Sequence, residues 1–148
     1  MLYPYRLIIC LITVAMTGFF SLARANDSGE YEPMALRTIM QEMSDKMQLV
    51  TDAIAREQWS QVAIAAPLIG DHRQPPFMEK TRILGFVGGE AGTFRSYDKK
   101  TQEAAQVLKE AALAEDGVQI IDAFASLQKT CLSCHQRFRQ SFVAHFYD

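Results

Sequence analysis

The sequence has no basic run, no internal repeat and no low-complexity tract. Its 148 residues include 15 Lys and Arg against 17 Asp and Glu, which gives a formal net charge of −2. A mildly acidic chain of this kind is not expected to bind nucleic acid. No segment alternates apolar and polar residues over the length of a strand, and this argues against a β-sheet.

Signatures of several enzyme classes are absent as well. The glycine-rich stretch 85–94, GFVGGEAGTF, lacks both the GxGxxG pattern and the lysine of a P-loop, so no phosphate-binding role is predicted. No pair of carboxylates and no Ser-His-Asp arrangement stands out in the remaining sequence. We therefore expect that the protein is not an enzyme.

The first 25 residues have the pattern of an export signal. MLYPYR is followed by an apolar run from Leu7 to Leu22 and then by the small-x-small sequence ARA, which ends at Ala25. The run of 16 residues is shorter than the roughly 20 that a transmembrane helix needs. We expect a signal peptide at 1–25, with an uncleaved membrane anchor as the alternative. The predicted periplasmic domain is then 26–148, without stable membrane insertion.

Apolar residues in this domain recur at spacings of three and four, which is the period of an amphipathic helix. The segment GDHRQPPF at 70–77 interrupts the pattern most clearly, because glycine and paired prolines stop helices. Long helices are predicted at 33–56, 93–115 and 118–146, with a shorter one at 58–69 and a brief one at 79–87. Four amphipathic helices with short connections predict an all-α, antiparallel four-helix bundle.

The pentapeptide CLSCH, at 131–135, is the most informative motif. On a helix, Cys131, Cys134 and His135 stand at i, i+3 and i+4 and project from one face. C-x-x-C-H is the attachment signature of covalent haem, in which two thiols add to the vinyl groups and the imidazole binds the iron. The motif therefore predicts one haem c, attached through Cys131 and Cys134, with His135 as an axial ligand.

Other uses of two cysteines and a histidine fit the sequence less well. A thioredoxin-type pair needs the start of a helix, which lowers a thiol pKa, whereas these cysteines lie more than three turns into one. A zinc site needs four ligands, and His72 and His145 are isolated. A structural or thiol-redox helical protein without haem is the remaining alternative.

The second axial ligand decides what such a haem does. A methionine thioether favours electron transfer, and an open position leaves room for a gas molecule. The candidates are Met34, Met40, Met43, Met47 and Met78. Of these, three share the apolar face of the first helix, which is expected to meet the fourth: Met40, Met43 and Met47. Such a stripe is usually core packing, and spacing leaves open which of the three binds iron.

The sequence resembles the class II c-type cytochromes, the group that holds cytochrome c' and its low-spin, methionine-ligated relatives. The resemblance rests on LRTIMQEMSDKM in the first helix, IAREQW at the first turn and CLSCHQRFR in the last helix. It implies a secreted four-helix bundle whose first helix presents the distal side to the haem. It favours Met40 as the sixth ligand, with Met43 as the alternative, and implies that Arg37 and Arg139 lie near the haem propionates.

These inferences predict a periplasmic mono-haem cytochrome that carries single electrons. The alternative is a five-coordinate protein, similar to cytochrome c', that binds NO or CO. Redox donor and acceptor proteins are the expected partners, and the resemblance implies a homodimer packed through the first two helices. Trp59 is predicted to anchor a helix junction, and three other side chains are expected to be structural or exposed: His72, Tyr97 and His145.

Overall fold

The computed structural model of the chain describes residues 34–147, which form helices and contain no strand. The helices are α1 Ala35–Ala55, α2 Trp59–Gly70, α3 Phe77–Val87, α4 Ala91–Leu113, α5 Gly117–Cys134 and α6 Gln140–Phe146. A 3₁₀ turn, Gly88–Glu90, joins α3 to α4, and a π-turn, His135–Arg139, joins α5 to α6. The predicted all-α four-helix bundle is confirmed, with α5, the π-turn and α6 acting as one long fourth helix.

The predicted helix bounds agree with the observed ones to within about two residues. The brief helix predicted at 79–87 is present between α2 and α4 as the 11-residue helix α3, which begins two residues earlier, at Phe77. The signal peptide expected at 1–25 lies outside the described residues and stays a prediction. Within residues 34–147, none of the helices has the length and apolar character needed to cross a membrane.

The bundle is packed most closely around α4. This helix contacts both α2 and α5 along its length, α1 packs on α2, and α1 touches α5 only marginally. Small residues permit the close approach of α2 and α4, since a Cβ added at Gly70 would lie 3.1 Å from the Cβ of Ala105. The largest fully buried side chains are Ile39, Val50, Val62, Ile69, Leu108, Ile120 and Leu127.

A second apolar cluster joins the start of α1 to α3 and α6. Its buried members are Met34, Ile83 and Phe142, and partly buried aromatic side chains pack around them. The rings of Phe86 and Phe142 meet edge to face with centroids 5.8 Å apart, a favourable aromatic geometry. Through this cluster, α3 packs across the end of the bundle at which α1 begins.

Two turns at the opposite end share one backbone motif. After α1, the amide of Glu57 donates to the carbonyl of Ile54 and that of Gln58 to Ala53, which is the Schellman pattern. After α4, Glu115 and Asp116 repeat it. The residue with left-handed backbone is a glutamate in both turns, with φ of 55°. Glycine is the residue usually found there, because a side chain is strained at positive φ.

We expect Glu57→Gly and Glu115→Gly each to raise the free energy of unfolding by about 1 kcal/mol, because glycine relieves the left-handed strain. Urea unfolding of the purified protein measures the change. The matched control is Glu103→Gly in the middle of α4, which should lower stability by about 1 kcal/mol. A loss of stability at both turns would contradict the strain argument.

Candidate haem site

The CLSCH motif lies where α5 ends and the π-turn begins. The helix starts far from it, at Asp116, whose carboxylate accepts a hydrogen bond from the backbone amide of Gln119 at 3.0 Å. Cys131 and Cys134 are half-buried and are not joined in a disulfide, while His135 is exposed. The motif therefore has no access to the positive end of the helix dipole.

The two thiols are held in their protonated form. Burial raises the pKa of Cys131, and burial together with the nearby Cys131 and Asp98 raises the pKa of Cys134 to about 11. A catalytic redox cysteine needs the opposite shift, because the thiolate is the reactive species. The environment of the pair thus disfavours the thiol-redox alternative.

The imidazole of His135 is held in its neutral form. Although the residue is largely open to solvent, partial desolvation of its imidazole lowers its pKa, and the positive charge of Arg139 lowers it further. Neutral imidazole has the free nitrogen lone pair that binds a metal. The desolvation and the charge of Arg139 therefore both favour the metal-binding form of His135.

The π-turn was not predicted, although the sequence holds a signal for it. Four-residue spacings repeat from Cys134 through Phe138 and Phe142 to Phe146. In a regular α-helix each such step rotates the side chain by about 40°, so the stripe would leave the core. The wider π-turn removes part of this rotation, and both Phe138 and Phe142 are buried. Turns of this type occur frequently at functional sites.

The structure separates the candidate methionines into distinct environments. Met43 and Met47 pack against the main core, and Met34 is buried in the second cluster. Met40 is 37% exposed on α1, and Met78 is 71% exposed on α3. Core packing therefore accounts for three of the five, whereas Met40 lies outside both core clusters.

The residues at the motif fit a covalently attached haem. Two thiols stand one helical turn apart with a neutral imidazole beside them, and these are the groups that attach haem c and bind its iron. The helix α1 contacts α5 only marginally, whereas α4 packs closely on α5 and places Asp98 near Cys134. Among residues 34–147, no three His, Cys, Asp or Glu side chains converge into a cluster that could hold a metal ion.

The two arginines named from the resemblance lie at different places. Arg139 is exposed and near His135. The guanidinium of Arg37 lies over the ring of Tyr147, 5.4 Å from its centroid. Their roles toward haem propionates remain predictions. Trp59 packs against the core and lies close to Gly117 at the start of α5, as expected of a junction anchor.

A hydrogen-bonded pair beside the motif escaped the sequence reasoning. His72 lies in the α2–α3 connection; its Nε2 is 2.9 Å from Oδ1 of Asp98 on α4, and its Nδ1 is 3.0 Å from the carbonyl oxygen of Arg73. Both partners are acceptors, so only the doubly protonated imidazolium donates to both. The bond to Asp98 is the main cause of the raised pKa of His72. No short-range signal links residues 26 positions apart.

An all-helical bundle with a CxxCH motif near the end of its last helix defines a class of haem proteins. The chain belongs to the cytochrome c' family, whose profile matches residues 35–139. It is therefore a mono-haem c-type cytochrome, and the family binds one covalently attached haem c. A cytochrome c' of Pararhodospirillum photometricum is 38% identical over 61 residues, which are 41% of this chain and 49% of that protein. The matched region thus spans about half the length of this relative.

We expect the His72–Asp98 pair to stabilise the holoprotein in acid more than in base. The folded pKa of His72 is raised, so its contribution is fully present below the unfolded value of about 6.5 and is lost as pH rises through the folded value. Denaturant unfolding of wild type and His72→Gln across this range measures the difference. A difference in stability that stays constant with pH would contradict the assignment.

Proposed function

We propose that the protein is a periplasmic electron carrier in which Cys131 and Cys134 would hold the haem and His135 and Met40 would supply the ligands of its iron. One observation carries the proposal. The contact between α1 and α5 is marginal, and Met40 lies on the same face of α1 as the core-packed Met43 and Met47 but outside both core clusters, so its thioether is not used in core packing.

Haem c, when bound, supplies the exchange of single electrons between ferric and ferrous iron. The residues of the chain tune and protect this exchange. The neutral imidazole of His135 offers its lone pair, and a thioether from Met40 favours the reduced state and raises the potential. Phe138, buried between Phe94 and Tyr97, adds apolar surroundings on the motif helix. No substrate bond is made or broken in this proposal.

A second candidate function is the binding of NO or CO at an open iron position. One observation favours it: more than a third of the Met40 side chain is exposed, and the contact between α1 and α5 is marginal. Because α1 does not pack closely on the motif helix, a gas molecule can displace the Met40 thioether from the iron. The spin state of the iron separates the two functions.

We expect the holoprotein to be low-spin in its ferric form and Met40→Ala to convert it to a high-spin form that binds CO readily, because the variant opens the sixth position. Optical spectra of the ferric and ferrous proteins measure both changes. The preparation should keep its colour in acidic acetone, as a haem held by thioethers does.

The exposed Met78 provides the control for this experiment. Met78→Ala removes a thioether that is 71% exposed on α3 and should leave the spectrum unchanged. A wild-type protein that is already high-spin would favour the gas-binding function. A low-spin spectrum that survives Met40→Ala but not Met43→Ala would transfer the assignment to Met43.

Export and partners complete the proposal. The signal peptide expected at 1–25 supports a periplasmic location, where redox proteins would be the donors and acceptors.

Members of the family are often homodimers. Three apolar side chains on α1 and α2 are more than half exposed: Leu49, Ile64 and Leu68. We propose that this α1–α2 surface pairs two copies of the chain.

We expect the double variant Ile64→Glu, Leu68→Glu to be monomeric, because four buried charges would have to enter a symmetric interface at high cost. Sedimentation velocity of wild type and variant measures the oligomeric state. Val107→Glu, Val118→Glu is the matched control, since both valines are also more than half exposed but lie on α4 and α5. A control that dissociates while the α1–α2 variant stays paired would place the interface on the other side.

A further inference from the structure

The first turn of α1 has no cap within its own segment. Met34 stands at the N-cap position and makes no side-chain hydrogen bond, and the first turn contains no acidic residue. The first four amides of a helix lack partners inside it, so they need acceptors from elsewhere. Here the amide of Arg37 donates to the carbonyl of Met34 at 2.9 Å, and the amides of Ala35 and Leu36 find their acceptors on another helix.

Glu79 of α3 supplies the acceptors for the amides of Ala35 and Leu36. Its Oε2 accepts from the amide of Ala35 at 2.8 Å, and its Oε1 accepts from the amide of Leu36 at 2.7 Å. A carboxylate at this place also interacts favourably with the positive end of the α1 dipole. Such charge-assisted hydrogen bonds are roughly twice as strong as neutral ones. A residue 44 positions away thus caps the helix.

The capped part of α1 is the part that α2 does not cover. The two helices are antiparallel neighbours joined by three residues, and α2 has 12 residues against the 21 of α1. The N-terminal portion of α1, with Met40, therefore extends beyond α2. It is held by the buried Ile39, by an exposed ion pair between Glu42 and Arg73 at 3.0 Å, and by Glu79.

We propose that Glu79 is a positioning residue for the distal side of the haem site: it holds the start of α1 in place and thereby fixes the position of Met40. Leu36 and Met40 are one turn apart on the same face of α1, so loosening at Leu36 is transmitted to Met40. The inference rests on the proposed role of Met40, although the hydrogen bonds of Glu79 do not depend on it.

Glu79→Gln in the holoprotein tests the proposal with little change of shape. The amide side chain has one acceptor oxygen instead of two, lacks the charge, and directs its NH₂ group at a backbone N–H. We expect hydrogen exchange at the amides of residues 37–41 to become roughly fivefold faster, the factor that corresponds to loss of a typical N-cap. CO binding to the ferrous protein should accelerate by a similar factor, because Met40 leaves the iron more often.

Glu103→Gln is the matched control. Its carboxylate lies 3.5 Å from Lys99 in an exposed pair on α4, so the variant loses the same charge without touching α1. Exchange at residues 37–41 and CO binding should both remain at the wild-type rates. Amides in the middle of α5 serve as an internal reference in all three proteins.

Two results would overturn the inference. Unchanged exchange at 37–41 in Glu79→Gln would show that the hydrogen bonds do not hold this segment. A second contrary result is possible if the spectrum does change in Met40→Ala. Faster exchange at 37–41 in Glu79→Gln with an unchanged rate of CO binding would then show that Glu79 only caps α1 and does not position Met40. If the spectrum does not change in Met40→Ala, Met40 is not the ligand and the proposed function loses that assignment. The exchange rates would still decide whether Glu79 holds the start of α1.

Discussion

The marginal contact between α1 and α5 is the constraint on which the candidate site depends. Alanine-rich surfaces bring α4 into close contact with α2 and with α5, and α1 packs on α2. The contact between α1 and α5 is much less extensive, and Cys131 and Cys134 on α5 are half-buried. The stability of the bundle comes from the other three sides, where the fully buried residues such as Leu108 and Leu127 lie.

Local electrostatics suit the motif to attachment and ligation rather than to thiol exchange. Half-buried thiols beside Asp98 stay protonated, and an imidazole near Arg139 stays neutral. Two long-range contacts hold the segments around the motif in place. His72 ties the α2–α3 connection to α4 through Asp98, and Glu79 ties α3 to α1. The helix α3, which lies in the connection between α2 and α4, thereby holds the start of α1.

Much of the fold could be predicted because helix formation leaves local signals. Spacings of three and four placed the helices to within about two residues, and Gly70 with the paired prolines marked the main break. The π-turn was missed because the prediction assumed a regular helix, although the four-residue spacing from Cys134 to Phe146 contains the signal. The positive φ of Glu57 and Glu115 left no signal, since glutamate is not a residue that favours such turns.

The sequence by itself determined the chemistry of the motif, because i, i+3 and i+4 positions of one helix lie on one face whatever the rest of the chain does. It determined the class of fold for the same reason, as the period of apolar residues is a local property. Only the tertiary structure decided which methionines pack in the core and which side chain caps α1. These depend on contacts between residues such as Glu79 and Leu36, which are 43 positions apart and meet only when the helices pack.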